Sequence, residues 1–482
     1  MAGVGAEYGQ TPDAGANYLI QSVLIPQDEG YATVDVWLHA GHIAAIAPQV
    51  EVTDSVTLID GHNKLLLPGF VNGHTHSSQV WQRGLIRPLP LELWLAEVFD
   101  TAPSLGIKEL YLGALSTGID TLLSGGTGLM DQVLLKPGQE VESVAAIAQA
   151  YKELGLRAFI APLLMDEPFL AGLPHGRSHP SSPYPRTAQD QLALMDTLIQ
   201  QFHRPETGIH IAVGPTGFHR CSDELLVGCA ELSDRYQLCR HTHLLETKAQ
   251  HQLAYEKYGR SAVAHLADLG FLDHQTSLAH GVWLEDSDLD ILADTGATVV
   301  HNPVSNLRLG SGIAPILKCL RRGVNVAFGC DGAASNDAQD LLEAIKLGTI
   351  LHSVTDPDYQ HWITPKQAIA MATLGGAKAV NLAAQTGSLT VGKQADLVLY
   401  DLSQPSMLPM TDPIQLLVLG RPTQVVDAVW VKGRQLVAQG QLQTVDHQNL
   451  YAQFRDRLLQ FNAGQHPTLA QVEPFYRQVM LP

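Results

Sequence analysis

Short apolar segments alternate with longer segments of helical pattern across the middle of this 482-residue sequence. The strand candidates are Leu65–Asn72, Gly126–Asp131, Arg157–Leu164, Ile209–Val213, Leu238–His243, Thr276–Ala279, Thr298–His301 and Asn325–Asp331. Helical candidates include Ile107–Ser124, Val141–Leu154, Glu224–Tyr236 and Pro365–Thr373. Eight strands separated by helices predict a (β/α)8 barrel, and the span from His74 to Asp331 fits its typical length of ~250 residues. A doubly wound open sheet is the alternative, disfavoured because no G-x-G-x-x-G motif follows the first strand.

Both ends of the sequence have the pattern of β-hairpins. Val34–His39 and His42–Ile46 flank a turn at Ala40-Gly41, and residues 426–431 and 434–437 flank Lys432-Gly433. Glycine supplies the positive φ that such a turn requires. We therefore expect the two ends to form one small β-domain. The predicted domains are a β-sandwich from residues 1–66 and 385–445, a barrel at 67–384 and a helical tail at 446–482.

The composition narrows the class of partner. The 48 acidic and 30 basic residues give a formal net charge of −18, which argues against nucleic acid or an anionic membrane as partner. The five cysteines are scattered without a C-x-x-C motif, which favours a reduced compartment. The sequence has neither the pattern of a secretory signal nor an apolar run of transmembrane length. We expect a cytoplasmic homodimer that acts on a small molecule.

Two histidines one residue apart, His74 and His76, end the apolar run 65–71. Alternate residues of a strand point to the same face, so the two imidazoles are aimed at one point. Two neutral imidazoles that converge in this way are typical of a divalent metal site. A polar strand end is the alternative interpretation of the pair taken alone.

Further polar side chains follow the later strands. His243 ends the fifth strand with Glu246 three residues beyond it, His280 follows the sixth and Asp331 ends the eighth, and active sites of barrels lie at this end. Three imidazoles and a carboxylate suit Zn²⁺, with Fe²⁺ as the alternative, and such an ion makes hydroxide available near neutral pH. Asp331 can bind the metal and accept the proton of its water, and Glu246 can carry a proton to the substrate and the leaving group. For His280, metal binding and polarisation of the hydroxide both stay open. His241 is either a packed barrel histidine or part of the site, as a metal ligand or as a support behind one.

Several motifs resemble the amidohydrolase superfamily, in its triazine-hydrolase and cytosine-deaminase-like branch. They are Pro68-Gly69-Phe70-Val71-Asn72-Gly73-His74-Thr75-His76, His243-Leu244-Leu245-Glu246, Ala279-His280-Gly281-Val282, His301-Asn302-Pro303-Val304-Ser305-Asn306, Asp331-Gly332-Ala333-Ala334-Ser335-Asn336-Asp337 and Gly392-Lys393-Gln394-Ala395-Asp396-Leu397. The resemblance implies a metal bound by His74, His76, His243 and Asp331, with Glu246 and His280 as the catalytic pair. Binuclear members carry a carboxylated lysine on the fourth strand. The fourth strand here has no lysine, so we expect one divalent ion per chain.

The expected reaction is hydrolytic deamination of a small nitrogen heterocycle: a triazine, a purine such as guanine or 8-oxoguanine, a pterin or a pyrimidine. Candidate substrate contacts are Gln79, Trp94, Phe218 and Asn306, two of which are aromatic residues that can stack on a flat ring. The proline-rich segment 165–186 is equally compatible with a lid and with a passive loop. The alternatives are a triazine chlorohydrolase, a cyclic amide hydrolase and a non-catalytic scaffold, the last of which should have lost its ligands.

Overall fold

The computed structural model describes residues 17–53, 55–101, 105–168, 172–174, 186–458 and 467–480. The strands of these residues are β1 (Tyr18–Pro26), β2 (Tyr31–His39), β3 (His42–Ala47), β4 (Thr57–Asp60), β5 (Lys64–Pro68), β6 (Phe70–Thr75), β7 (Gly126–Val133), β8 (Arg157–Leu164), β9 (Ile209–Ile211), β10 (Gly214–Pro215), β11 (Arg240–Leu244), β12 (Thr276–His280), β13 (Thr298–His301), β14 (Val326–Phe328), β15 (Leu397–Asp401), β16 (Val426–Val431), β17 (Arg434–Ala438) and β18 (Gln441–Leu442).

The helices are α1 (Leu91–Thr101), α2 (Ile107–Leu123), α3 (Glu140–Leu154), α4 (Ala188–Phe202), α5 (Asp223–Tyr236), α6 (Lys248–Tyr258), α7 (Ala262–Asp268), α8 (Asp286–Thr295), α9 (Pro303–Arg308), α10 (Ile316–Arg321), α11 (Leu341–Ile350), α12 (Pro365–Ala370), α13 (Gly376–Ala379), α14 (Pro413–Gln415), α15 (His447–Leu458) and α16 (Pro467–Met480). A 3₁₀ helix, Ser77–Gln82, follows β6 directly. The predicted helix over 365–373 is present as α12 and the first residues of the π-helical segment Met371–Gly375, and α13 follows that segment.

Strands β6 to β14 form the predicted parallel barrel, in which β9 and β10 share the fourth position. One sheet has the order β10-β8-β7-β6, with β9 also on β8, and the other has the order β11-β12-β13-β14. A parallel bridge between Val213 and Arg240 joins the two sheets on one side. On the other side the Asp331 amide donates to the His74 carbonyl across 2.9 Å. The barrel prediction is therefore confirmed, and the carboxyl ends of all its strands face one mouth.

A nine-stranded sheet joins the two ends of the chain. Its order is β18-β17-β16-β15-β5-β1-β2-β3, with β4 paired to β1. The junction between the two halves is the antiparallel pair of β5 with β15. The β-domain built from both termini is thus present, while the domain boundaries at residues 66, 384 and 445 stay a prediction.

The apolar run 65–72 is two strands, where the sequence predicted one. It lies in the nine-stranded sheet as β5, passes Gly69 and enters the barrel as β6. A Cβ added at Gly69 would lie 2.1 Å from Cγ2 of Thr127, so only glycine allows the backbone to pass β7 this closely. His74 and His76 lie at the carboxyl end of β6, so this strand places both histidines at the mouth of the barrel.

Most of the proline-rich segment 165–186 lies outside the described residues. Leu173 is described, and it is buried with Leu93 and Ala96 of α1 and Val472 of α16. Within the described ranges, no helix combines the length and the apolar character that crossing a lipid bilayer requires.

Candidate metal centre and active site

Three imidazoles and one carboxylate meet at the mouth of the barrel. His74 lies in β6 and His76 directly follows it, His243 comes from the opposite strand β11, and Asp331 from the loop after β14. Oδ1 of Asp331 lies 3.5 Å from Nε2 of His74 and 3.3 Å from Nε2 of His76. Nε2 of His76 lies 3.2 Å from Nε2 of His243. The structure thus brings together the four residues that the sequence singled out.

Backbone carbonyls fix the orientation of two of these rings. Nδ1 of His76 donates to the carbonyl of Gln132, and Nδ1 of His243 donates to the carbonyl of Thr216 across 2.7 Å. A neutral imidazole that donates from Nδ1 has a lone pair on Nε2. Two lone pairs therefore face each other between His76 and His243, an arrangement that only a cation or a proton can stabilise. Burial, reinforced by the neighbouring imidazoles, lowers the pKa of His243 well below its ordinary value, which leaves a metal ion as the better fit.

A fourth histidine, His241, orients the ring of His74. Nδ1 of His74 lies 2.7 Å from Nε2 of His241, and Nδ1 of His241 lies 2.6 Å from Oγ of Ser277. Donation along this row leaves the lone pair of His74 on Nε2, which is buried and has no hydrogen-bond partner among the described residues. Burial lowers the pKa of His74 to about 3. His241, for which the sequence left two interpretations open, therefore supports His74 from behind.

The carboxylate of Asp331 completes the cluster. Oγ of Ser305 donates to Oδ2 across 2.5 Å, so Oδ1 is the oxygen that faces the histidines. Burial alone would raise the pKa of Asp331, but the adjacent His74, His76 and His280 hold it well below its ordinary value. In the described chain, two sets of ligand atoms lie within 4.8 Å of one another: those of His74, His76 and His243, and those of His74, His280 and Asp331. Neutral imidazoles with an ionised carboxylate are a donor set that fits a divalent ion.

Glu246 and His280 lie beside this cluster. Nε2 of His280 is 3.7 Å from Oε2 of Glu246, and both side chains are buried. Burial raises the pKa of the Glu246 carboxyl well above its ordinary value, and the charges of Asp331 and Glu92 raise it further. Oε1 of Glu246 has no hydrogen-bond partner in the described part of the chain. Burial lowers the pKa of His280, so its ring is neutral.

A cavity opens above these groups, between the barrel mouth and α1. Its polar wall includes Gln79, Gln82, His219, Arg220 and Gln250, beside the metal-site residues and Glu246. Its apolar wall is made by Leu91, Trp94, Leu95, Val98, Leu105, Leu134, Leu163 and Met165. A cavity that is mostly apolar with a few convergent polar groups is the usual form of a small-molecule site.

Two of the four predicted substrate contacts line this cavity. Trp94 lies in the wall, and its indole N–H donates to the carbonyl of Ala334 across 3.1 Å. The amide of Gln79 lies against Gly332, where an added Cβ would be 1.8 Å from Oε1 of the glutamine. Any other residue than glycine at position 332 would displace Gln79.

Phe218 and Asn306 lie elsewhere, so we no longer assign them to the substrate. Phe218 is in the hydrophobic core beside Tyr258 and does not line the cavity. Asn306 is behind His280, with Oδ1 2.8 Å from Nδ1 of that ring.

Sequence reasoning missed two residues of the cavity wall, His219 and Arg220. Burial lowers the pKa of His219 to about 3 and that of Arg220 to about 10. Nδ1 of His219 has no hydrogen-bond partner among the described residues. The signal for them is the polar pair His219-Arg220 in the loop after the fourth strand, at the end of the barrel where active sites lie.

Comparisons with known proteins agree with this geometry. The family model described as "Amidohydrolase family" matches residues 65–436. A 5'-deoxyadenosine deaminase from Methanothermobacter thermautotrophicus is 33% identical over 433 residues, which cover 88% of this chain and 95% of that protein. A 5-methylthioadenosine/S-adenosylhomocysteine deaminase from Caldanaerobacter subterraneus is 30% identical, with 92% of this chain and 98% of that protein covered. Among solved structures, a triazine hydrolase from Arthrobacter aurescens has a TM-score of 0.86 at 25% identity, with 92% of this chain and 99% of that chain covered.

Proposed function

This chain belongs to the amidohydrolase family, and from that premise we propose that it removes the amino group of an adenine nucleoside by metal-dependent hydrolysis. It is a hydrolase of carbon–nitrogen bonds other than peptide bonds, as its sequence predicted. The sequence left several free bases and triazines open, and the named relatives favour a purine nucleoside in their place. The observation that carries the proposal is the position of Glu246 and His280 beside the metal cluster, at the floor of one cavity.

His74, His76, His243 and Asp331 would hold one divalent ion, with Zn²⁺ favoured by the three nitrogen donors. When bound, such an ion acts as a Lewis acid and makes hydroxide available near neutral pH. The described fourth strand offers no lysine to bridge a second ion, which supports a single site. The histidine rings are oriented in advance by their Nδ1 bonds, so little reorganisation is needed on binding.

Glu246 is the proton carrier of the proposed reaction. Burial and the neighbouring charges raise its pKa and so favour the protonated carboxyl, and its unpartnered Oε1 is at the cavity floor. Transfer of that proton to a ring nitrogen makes the carbon that bears the amino group electrophilic. After hydroxide adds at that carbon, its remaining proton passes through Glu246 to the amino group, which leaves as ammonia while the C–O bond becomes a carbonyl. The proton released when the water became hydroxide restores Glu246, so water is the only other reactant.

The walls of the cavity suit an aromatic base with an apolar substituent. Trp94 offers an aromatic surface, and Leu91, Leu95 and Val98 extend the apolar wall along α1. Gln79 and His219 bring unpartnered hydrogen-bonding atoms to the wall, which can bind the edge of the base. These features support a nucleoside with an apolar or thioether group at its 5' position, the class named for the relatives.

A triazine is the second candidate substrate. The triazine hydrolase shares this architecture over 92% of the chain, and a triazine is also a flat ring whose nitrogen atoms can accept a proton from Glu246. We further propose that the protein is cytoplasmic and forms a homodimer. Light scattering, which measures the molar mass in solution, tests the homodimer.

The proposal is tested on zinc-loaded protein by metal analysis and by ammonia release. The substrates are 5'-deoxyadenosine, 5-methylthioadenosine, S-adenosylhomocysteine, guanine, an amino-triazine and a cyclic amide. We expect about one ion per chain and release of ammonia from the adenine nucleosides, with His243→Ala losing both. Two tightly held ions at full activity would contradict the single site. Turnover of the cyclic amide alone would contradict deamination, and turnover of the triazine alone would favour the second candidate.

A further inference from the structure

Helix α9 presents two consecutive side chains to two different groups of the site. Ser305 donates from Oγ to Oδ2 of Asp331 across 2.5 Å. Asn306 is hydrogen-bonded through Oδ1 to Nδ1 of His280 across 2.8 Å. Both α9 side chains are buried, at 0% and 1% exposure, and neither belongs to the cavity wall. Their position indicates that they act on the site through Asp331 and His280 and not through the substrate.

The partner at Nδ1 decides which nitrogen of a neutral histidine carries the proton. An amide oxygen only accepts hydrogen bonds, so a ring that faces Oδ1 of Asn306 must donate from Nδ1. Nε2 of His280 then has the lone pair, and it points towards Glu246 and the metal cluster. With the other tautomer, Nε2 would be a donor, and it could not accept a proton or a hydrogen bond from the water that attacks the substrate.

We propose that Asn306 is a positioning residue that holds His280 in the Nδ1–H tautomer, so that Nε2 accepts a hydrogen bond from the attacking water. The use of that tautomer in turnover rests on the proposed function; the tautomer itself does not. The Nδ2 atom of Asn306 has no hydrogen-bond partner within the described residues. Among these residues, the side-chain amide of Asn306 therefore bonds His280 through Oδ1. Ser305 orients Asp331 in a similar way, because its hydroxyl donates to Oδ2 and Oδ1 faces the histidines.

Two substitutions at position 306 separate this role from a merely structural one. Asn306→Asp keeps an acceptor at Nδ1 of His280, whereas Asn306→Leu has a similar size and removes it. We expect Asn306→Leu to lower kcat by ~10–100-fold, which is the usual effect of removing a partner that orients a metal-site residue. The KM and the zinc content should change little. Asn306→Asp should retain most of the kcat that Asn306→Leu loses.

The tautomer is measured directly by NMR of zinc-loaded protein labelled with ¹⁵N-histidine, in which the signals of His280 are identified by their absence in His280→Gln. Wild type and Asn306→Asp should show a protonated Nδ1, and Asn306→Leu should lose this preference. The control is Asn325→Leu, since the amide of Asn325 bonds Oγ1 of Thr298 and the carbonyl of Gly375 instead of a site residue. It should leave the His280 signals and kcat unchanged.

An unchanged tautomer and kcat in Asn306→Leu would overturn the proposal. An equal loss of kcat in Asn306→Asp and Asn306→Leu would also overturn the proposal. Such a result would mean that Asn306 donates a hydrogen bond from Nδ2, which neither variant can do. If no substrate of the panel is turned over, the proposed function fails, while the NMR comparison still decides the tautomer. If Asn306→Leu does not fold, the Asn306→Asp spectrum decides alone, since loss of the protonated Nδ1 there contradicts the proposal.

Discussion

The pKa of Glu246 is raised because its carboxyl is buried and two neighbouring carboxylates act on it. Burial has the largest effect on its pKa, followed by the charges of Asp331 and Glu92. Glu92 is itself buried, with Oε1 accepting from Oγ1 of Thr247 across 2.6 Å. The backbone N–H of Glu246 donates to Oε1 of Gln250 across 2.8 Å, which fixes the loop that carries the carboxyl. The raised pKa favours the protonated carboxyl, which is the form that acts as a general acid.

We expect Glu246→Gln to lower kcat by at least ~100-fold, the low end of the effect of losing a general acid–base. Glutamine keeps the shape and removes the proton that the ring nitrogen needs. Because Glu246 is not among the proposed metal ligands, zinc content should stay at the wild-type value. The control is Glu231→Gln on the exposed face of α5, which should have no effect on either. Near-normal turnover in Glu246→Gln would mean that another group carries the proton.

The sequence predicted the cluster residues because each of them ends a strand, and barrel topology brings strand ends together. It did not predict what holds them. The carbonyls of Gln132 and Thr216 orient two of the histidine rings, and a backbone carbonyl has no signature in a side-chain pattern. Phe218 shows the same limit, because the direction of a side chain in the loop after β10 depends on the path of the loop.

At the scale of elements, the sequence predicted periodic segments well and their packing poorly. It assigned the run 65–72 to one strand because its apolar pattern is continuous across Gly69. The close approach of Thr127 that separates β5 from β6 is a tertiary contact and leaves no local signal. The C-terminal tail was predicted only as helical, without a packing partner, whereas α16 packs on α1.

The packing of α16 links the end of the chain to the cavity. Helix α1 carries Trp94 into the cavity wall, and its other side places Leu93 and Ala96 against Val472 of α16. Val472 is fully buried, at 0% exposure. A change at this contact should therefore alter how firmly the cavity wall is held, without any contact with the metal site.

We expect Val472→Ala to raise KM by ~5-fold, the equivalent of a loss of ~1 kcal/mol in binding. The truncated side chain leaves a cavity between α16 and α1, and the substrate must then order a looser wall. The kcat and the zinc content should change little, because Glu246 and the metal ligands are on other elements. Gln471→Ala, at the exposed neighbouring position, is the control and should leave KM unaltered. An unchanged KM in Val472→Ala would show that α1 is held without α16.

At the scale of the whole molecule, buried neutral histidines make the fold sensitive to acid. Burial lowers the pKa of His210 to about 3 and that of His352 to about 4, from an ordinary 6.5. His210 is stacked on Phe159 with ring centroids 4.3 Å apart, and its Nε2 has no hydrogen-bond partner among the described residues. Arg157, Lys432 and His203 add to the effect of burial, because their positive charges also disfavour a second proton on this ring.

The free energy of unfolding depends on pH because His210 binds its proton at different pH in the folded and the unfolded chain. Below pH 6.5 the unfolded chain binds a proton at this residue, whereas the folded chain does not until about pH 3. Its contribution to stability is therefore complete above pH 6.5 and is lost as the pH falls through this window. At pH 5 the loss amounts to ~2 kcal/mol, at 1.36 kcal/mol for each pH unit.

Replacing His210 by phenylalanine should remove this loss, since phenylalanine keeps the stack on Phe159 and binds no proton. The free energy of unfolding is measured by urea denaturation of wild type and His210→Phe at pH 8 and pH 5. The difference in the free energy of unfolding, variant minus wild type, should be ~2 kcal/mol larger at pH 5 than at pH 8, whatever its value at pH 8. His210→Leu should show the same gain, which guards against a poor fit of the phenylalanine ring. His274→Phe, at an exposed histidine, should show none. An equal stability difference at both pH values in His210→Phe and His210→Leu would mean that this ring is already protonated in the folded chain at pH 5, or never protonated in the unfolded one.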